Sequence, residues 1–152
     1  MGATIPFVSA PLLHNRIGRA VARVLGTRRD VEAAYLFGST ATGKTHRDSD
    51  VDVGVLVSDR IPPSKHLSVR LGLMADIGAA LDRSDVDVTI LNEATPLRAH
   101  RVLSQGVLAF ERSPTARVRF QTATAQRYFD MLPTYEIYIR ALKRSTQRGR
   151  RG

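Results

Sequence analysis

Gly38 to Asp52, reading GSTATGKTHRDSDVD, is where residue types and spacing could do chemistry, and the segment supports two readings. Gly38 to Thr45, GSTATGKT, matches a phosphate-binding P-loop, G-x-x-x-x-G-K-[ST]. In such a loop glycines let backbone N–H groups wrap the phosphates, a lysine reaches the outer phosphates and a hydroxyl binds Mg2+. The second reading takes Gly38-Ser39 as a phosphate-holding turn. Asp50-Val51-Asp52, after ten intervening residues, is then a metal-holding pair of carboxylates. Both readings imply a nucleoside triphosphate, with different folds and different catalytic groups.

Context separates the two. A P-loop needs a helix that begins at its Lys-Thr and continues. Here His46-Arg47-Asp48-Ser49-Asp50 is turn-like, and an alternating valine strand begins at Val51. That leaves no room for two or three helical turns or a parallel crossover, so Gly43-Lys44-Thr45 reads as incidental. The second reading fits its surroundings. Gly38 ends a strand and permits a sharp turn, and the Ser39 hydroxyl with exposed amides can hold phosphate. Asp50 and Asp52 are two apart, so on a strand both carboxylates point to one side. Paired hard oxygen ligands suit Mg2+, with the nucleotide's own phosphates completing the octahedron. Asp87, in the later strand VDVTIL, can complete a second metal site or take the proton from an attacking hydroxyl. Asp85 shares the face of Asp87, and a swap of roles stays open; Asp87 is preferred because it lies inside the strand. The plain alternative is that Asp50 caps the strand and Asp52 ion-pairs with an arginine. An acid inside an apolar strand is costly without a ligand.

The elements that must position these residues follow from hydrophobic periodicity. Ser9-Ala10-Pro11 starts a helix with Leu12, Leu13, Ile17, Val21, Val24 and Leu25 on one stripe and Gly26 as its stop. Val31 to Phe37 and Val51 to Val57 read as strands; in the second, the four valines line one face and Asp50, Asp52, Gly54 and Leu56 the other. A helix spans about Ser64 to Leu81, with Leu67, Leu71, Met74, Ile77, Gly78 and Leu81 stacked. Val86 to Leu91 is a third strand, Thr95-Pro96 opens a helix to Gln105, and Val107 to Phe110 is a fourth strand. Ser113-Pro114 opens a helix through about Met131; Leu132-Pro133 interrupts it and Tyr135 to Lys143 resumes. The expected fold class is α/β (α+β), a small mixed sheet with flanking helices and a C-terminal helical extension. Residues 1–112 would form the core, 113–146 the C-terminal helices packed on it, and 147–152 a basic flexible tail, all in one domain.

Composition bounds the function classes. At 152 residues and 43% apolar content the chain can bury a real core. No apolar run approaches the ~18 residues of a membrane span, and the first residues lack the basic and apolar regions of a signal peptide. With no cysteine, disulfides and thiolate metal sites are excluded, which fits a cytoplasmic setting. The net charge of +9 is uneven: Arg140, Lys143, Arg144, Arg148, Arg150 and Arg151 fall in the last thirteen residues with no acid among them. Such a tail could touch nucleic acid or an acidic partner, although a solvated terminus is the simpler reading. Lys44 reads as a solvated loop lysine, and His14, His46, His66 and His100 as surface residues. Arg98 and Arg101 could neutralise phosphate charge, though a solvated helix face is the commoner case. Phe120, Tyr128, Phe129, Tyr135 and Tyr138 are expected mostly in the core, with partner docking as the other use of the last helices.

Gly38-Ser39, ten residues, Asp50-Val51-Asp52 and the later Asp87 together resemble the nucleotidyltransferase superfamily built on the DNA polymerase β palm. The small size narrows this to a minimal nucleotidyltransferase (MNT). LNEATPLRAHRVLSQGVLAFERS, followed by RFQTATAQRYFDMLP, is similar to MNT antitoxins paired with HEPN ribonuclease toxins. The likeness covers roughly Val31 to Tyr138. It implies that Gly38 and Ser39 hold the triphosphate of ATP, that Asp50 and Asp52 bind Mg2+, and that Asp87 is the third carboxylate of a two-ion site. It further implies transfer of AMP to a tyrosine of a HEPN toxin held in a hetero-oligomer. The rival expectations are an antitoxin that neutralises by binding alone and a small-molecule nucleotidyltransferase. The basic tail matches no family feature.

Overall fold

The computed structural model describes residues 16–42 and 49–149. Helix α1 (Arg16–Gly26) leads into strand β1 (Val31–Phe37), a short helix α2 (Ser39–Thr42) and strand β2 (Val51–Val57). A 3-10 turn (Pro63–Lys65) opens helix α3 (His66–Leu81), followed by β3 (Val86–Ile90), a second 3-10 turn (Leu91–Glu93), α4 (Pro96–Gln105), β4 (Val107–Glu111) and α5 (Pro114–Gly149). The helix start expected at Ser9 lies outside the described residues. Among the described residues no helix is long and apolar enough to cross a membrane.

The four strands form one sheet in the order β3-β2-β1-β4, with β1 antiparallel to β2 and β4 and with β2 parallel to β3. This mixed sheet with flanking helices is the expected fold class. The antiparallel pairing of β1 and β2 also disposes of the P-loop reading, which requires a parallel crossover after the phosphate loop. Lys44 itself lies outside the described residues.

The valine alternation of β2 assigns its two faces. Val51, Val53, Val55 and Val57 pack with Val21 and Leu25 of α1 and with Val69, Leu73, Ile77 and Leu81 of α3. Leu56 packs on the other face with Tyr35, Leu91, Val102 and Leu103, against α4. Close approach there depends on Gly54, where a Cβ would stand 2.7 Å from Val102 Cγ1. Asn92 continues the pairing where β3 has ended: its Oδ1 accepts from the Val57 N–H at 2.8 Å and its Nδ2 donates to the Val57 carbonyl at 2.9 Å.

Four expectations fail. In α3 the buried row is His66, Val69, Leu73 and Ile77, while Leu67 and Leu71 stand 63% and 55% exposed. The helix is apolar on several sides, so two stripes shared Ile77, Gly78 and Leu81 and periodicity could not choose between them. The adopted phase buries His66, expected at the surface, where Nδ1 bonds Glu93 Oε1 at 2.8 Å. Finally, α5 is one continuous helix through Pro133, not two helices over 113–146, and it runs on to Gly149. Pro133 removes only the N–H that would meet the Phe129 carbonyl, in a stretch exposed enough for water to take its place. The first part of α5 lies on α4, with Tyr128 stacked on His100 at 3.8 Å between ring centroids. Phe129, Tyr135 and Tyr138 are exposed, against the expectation of core packing.

Candidate active site

The site grows from the end of the β1–β2 ladder. Phe37 is in register with Asp52, and Gly38 follows as the chain turns into α2. Gly38 has φ +66°, a left-handed conformation that side chains resist. A Cβ there would also stand 2.6 Å from Asp52 Oδ2, inside van der Waals contact. The glycine therefore serves two ends, turning the chain and letting the backbone lie directly against a carboxylate. Ser39 is the first residue of α2 and is partly buried. Thr40, fully buried, donates its hydroxyl to the Asp50 carbonyl at 3.3 Å and so ties α2 to the entry of β2.

The acids are placed by strand alternation and register. Asp50 is exposed one residue before β2, and Asp52 is partly buried within it. Both lie on the side away from the valine core. Across the parallel pairing Asp52 stands opposite Asp87 of β3. Burial, then the charges of Asp87 and Asp50, push the Asp52 carboxyl above its ordinary range, against a weaker opposing pull from Arg98. Asp85 is differently occupied. Its carbonyl accepts from the Val51 N–H at 2.9 Å, and its carboxylate takes the Arg83 Nε at 2.7 Å and also Nη2. The hydrogen bonds from Arg83 hold the Asp85 carboxyl below its usual range. By register and by partners, Asp87 rather than Asp85 faces Asp52.

Two arginines border the acids. Arg98, in the first turn of α4, donates Nη2 to the Thr89 hydroxyl at 2.8 Å, two residues along β3 from Asp87. Its backbone N–H also bonds the capping Thr95 hydroxyl at 3.3 Å. Arg98 is thus an exposed cation tied to β3 near the acids, and Arg101 is likewise exposed. Arg70 of α3 reaches around the sheet edge to Asp87, its Nη2 lying 2.9 Å from Oδ1. Neither Arg70 nor Thr40 is signalled by residue type or spacing.

Among the described residues no three His, Cys, Asp or Glu side chains are drawn together at metal-holding spacing. The donor chemistry nevertheless fits a hard cation. Asp50, Asp52 and Asp87 offer oxygen only, and burial first, then the charges of Asp87 and Asp50, raise the Asp52 carboxyl.

A mixed sheet that sets Gly38 against Asp52, and Asp52 against Asp87, defines a nucleotidyltransferase of the polymerase β type. The chain belongs to the polymerase beta, nucleotidyltransferase family, whose pattern matches residues 20–115. Among curated relatives, protein adenylyltransferase MntA of Shewanella oneidensis is 37% identical over 76 residues, 50% of this chain and 51% of the relative. The chain thus matches about half the length of that relative. A crystal structure of a toxin–antitoxin with AMP-PNP contains a chain 25% identical, with TM-score 0.69, matched over 83% of this chain and 98% of its own. Tri-AMPylated Shewanella oneidensis HEPN toxin in complex with MNT antitoxin matches at 22% identity and TM-score 0.64, over 84% and 96% of the two chains. At that identity the likeness is one of fold.

Proposed function

We propose that this chain is a Mg2+-dependent protein adenylyltransferase that acts as an antitoxin, moving AMP from ATP to a tyrosine of a HEPN-family toxin bound to it. The observation that carries the reading is the parallel register of Asp52 with Asp87 beside the left-handed Gly38. It supports reading Gly38 as a phosphate turn and Asp52 with Asp87 as metal-binding carboxylates at one end of the sheet. The match to a protein adenylyltransferase and the fold shared with a chain of toxin–antitoxin complexes, one of which holds a tri-AMPylated HEPN toxin, support the choice of acceptor.

In this reading Gly38 and Ser39 cradle the triphosphate with backbone amides and a hydroxyl. Asp50 and Asp52 hold Mg2+, with Asp87 as the third ligand of a two-ion site. When bound, the metal stabilises charge on the reacting phosphates. The toxin's phenolic oxygen attacks the α-phosphorus in line, the α–β phosphoanhydride breaks and pyrophosphate leaves. With Asp87 engaged as a metal ligand, the phenolic proton passes to solvent water, and Arg98 neutralises phosphate charge.

The test is intact-mass measurement of the toxin after incubation with this chain, ATP and Mg2+. The native chain is expected to add AMP units, and Asp52→Ala to add none while keeping its fold. An AMP adduct made by Asp52→Ala would remove the metal assignment. Protection by Asp52→Ala without any adduct would instead show an antitoxin that works by binding alone.

A further inference from the structure

The sheet edge beside the acids carries a contact that the reaction scheme does not use. Strand β3 ends the β3-β2-β1-β4 order, so one of its sides has no neighbouring strand. Arg70 fills that side. Its Nε donates to the Val88 carbonyl at 2.7 Å and its Nη2 to Asp87 Oδ1 at 2.9 Å. One planar guanidinium thus grips the backbone of the strand and the carboxylate projecting from it. A strand-edge aspartate would otherwise be free to turn its carboxylate away from Asp52. The grip engages Oδ1 and leaves Oδ2 without a protein partner among the described residues. Arg70 comes to this place because Val69 and Leu73 point into the core, the helix phase that also leaves Leu67 and Leu71 exposed.

We propose that Arg70 is the positioning residue of the third carboxylate: it fixes Asp87 with one oxygen committed to the guanidinium and the other available to the metal–triphosphate. The inference rests on the proposed nucleotidyltransferase site. A lysine cannot do the same work, because its single ammonium lacks the rigid fork that meets a carbonyl and a carboxylate together. Arg70 touches neither nucleotide nor acceptor in this scheme; it acts through Asp87.

The experiment titrates Arg70→Gln, Arg70→Lys, Asp87→Asn and the Arg70→Gln/Asp87→Asn pair with Mg·ATP, and separately with ATP in EDTA, by calorimetry. Arg70→Gln is expected to weaken Mg·ATP binding by about 10–100-fold, the usual effect of losing a partner of a metal ligand, and to leave metal-free ATP binding within about twofold. Arg70→Lys should retain only part of the Mg·ATP affinity. The pair should bind no more weakly than Asp87→Asn alone, since the arginine has nothing to hold once that acid is gone. Unchanged Mg·ATP affinity, an equal loss in both titrations, or losses that add in the pair would each overturn the proposal. If Arg70→Gln does not fold, Arg70→Lys and its pair with Asp87→Asn carry the same comparison. Asp52→Ala runs alongside: native-like Mg·ATP binding by that variant would sink the site itself, whatever Arg70 does.

Discussion

A carboxylate partly buried beside two others resists ionisation, and Asp52 is that group. Its folded pKa lies above its unfolded one, so between the two the native state holds the extra proton. Stability therefore falls as pH rises through the folded pKa of Asp52, and the penalty stays in force at neutral pH. Asp52→Asn removes it. The metal-free variant is expected to melt higher than the native chain at pH 7, with the gap closing as the pH falls through the raised pKa. Scanning calorimetry in EDTA at several pH values measures this; a lower midpoint for Asp52→Asn at pH 7 contradicts it. The same substitution should cost transfer, so stability and activity move in opposite directions at one residue. Asp52 and Asp50 were legible in the sequence because a two-residue period fixes which way both point. Asp87 was legible as an acid in a strand, but its register with Asp52 was not, since parallel pairing leaves no local trace. Arg70 was illegible because its place depends on a helix phase that two apolar stripes left undecided.

Among the elements, β1, β2 and β4 were readable almost to the residue from apolar runs bounded by Gly38, Asp59 and Gly106. Helix α4 was equally plain, with its Thr95 cap and Pro96 in the first turn. The short α2 was missed, four residues being too few for a period, and Thr40 with it. The misreading of α5 came from giving Pro133 the force of a stop. Proline in a helix interior is about 3 kcal/mol less favourable than alanine, a cost that an already nucleated helix can carry. Pro133→Ala restores an N–H opposite the Phe129 carbonyl. It is expected to slow amide exchange around residues 129–137 by about tenfold or more, without altering exchange in the sheet. Exchange measured by mass spectrometry checks this, and an unchanged rate there means that the proline costs the helix nothing.

At the scale of the whole molecule, the valine side of the sheet is sealed by α1 and α3, while α4 and α5 cover part of the other. The acids sit at the strand ends on that second side, so a bound nucleotide stabilises the native state without entering the core. Mg·ATP at about a hundred times its dissociation constant should add ~2.7 kcal/mol. For a chain of this size that raises the melting midpoint by roughly 5–10 °C. ATP with EDTA should give a clearly smaller rise, and equal rises would mean that the acids hold no metal.

The mixed pairing of β2 also sets the order in which the site can come into being. Asp50 and Asp52 are joined to Gly38 by a local antiparallel return, whereas Asp87 lies thirty-five residues beyond Asp52 across a helical crossover. A chain emerging from the ribosome as far as Val57 already carries the left-handed Gly38 turn and the first two acids. The third acid has not been made, nor has the strand that would carry it. On the proposed reading, a nascent chain in which α3 has not closed the crossover has no third carboxylate to offer, so transfer to a partner waits until synthesis has passed β3.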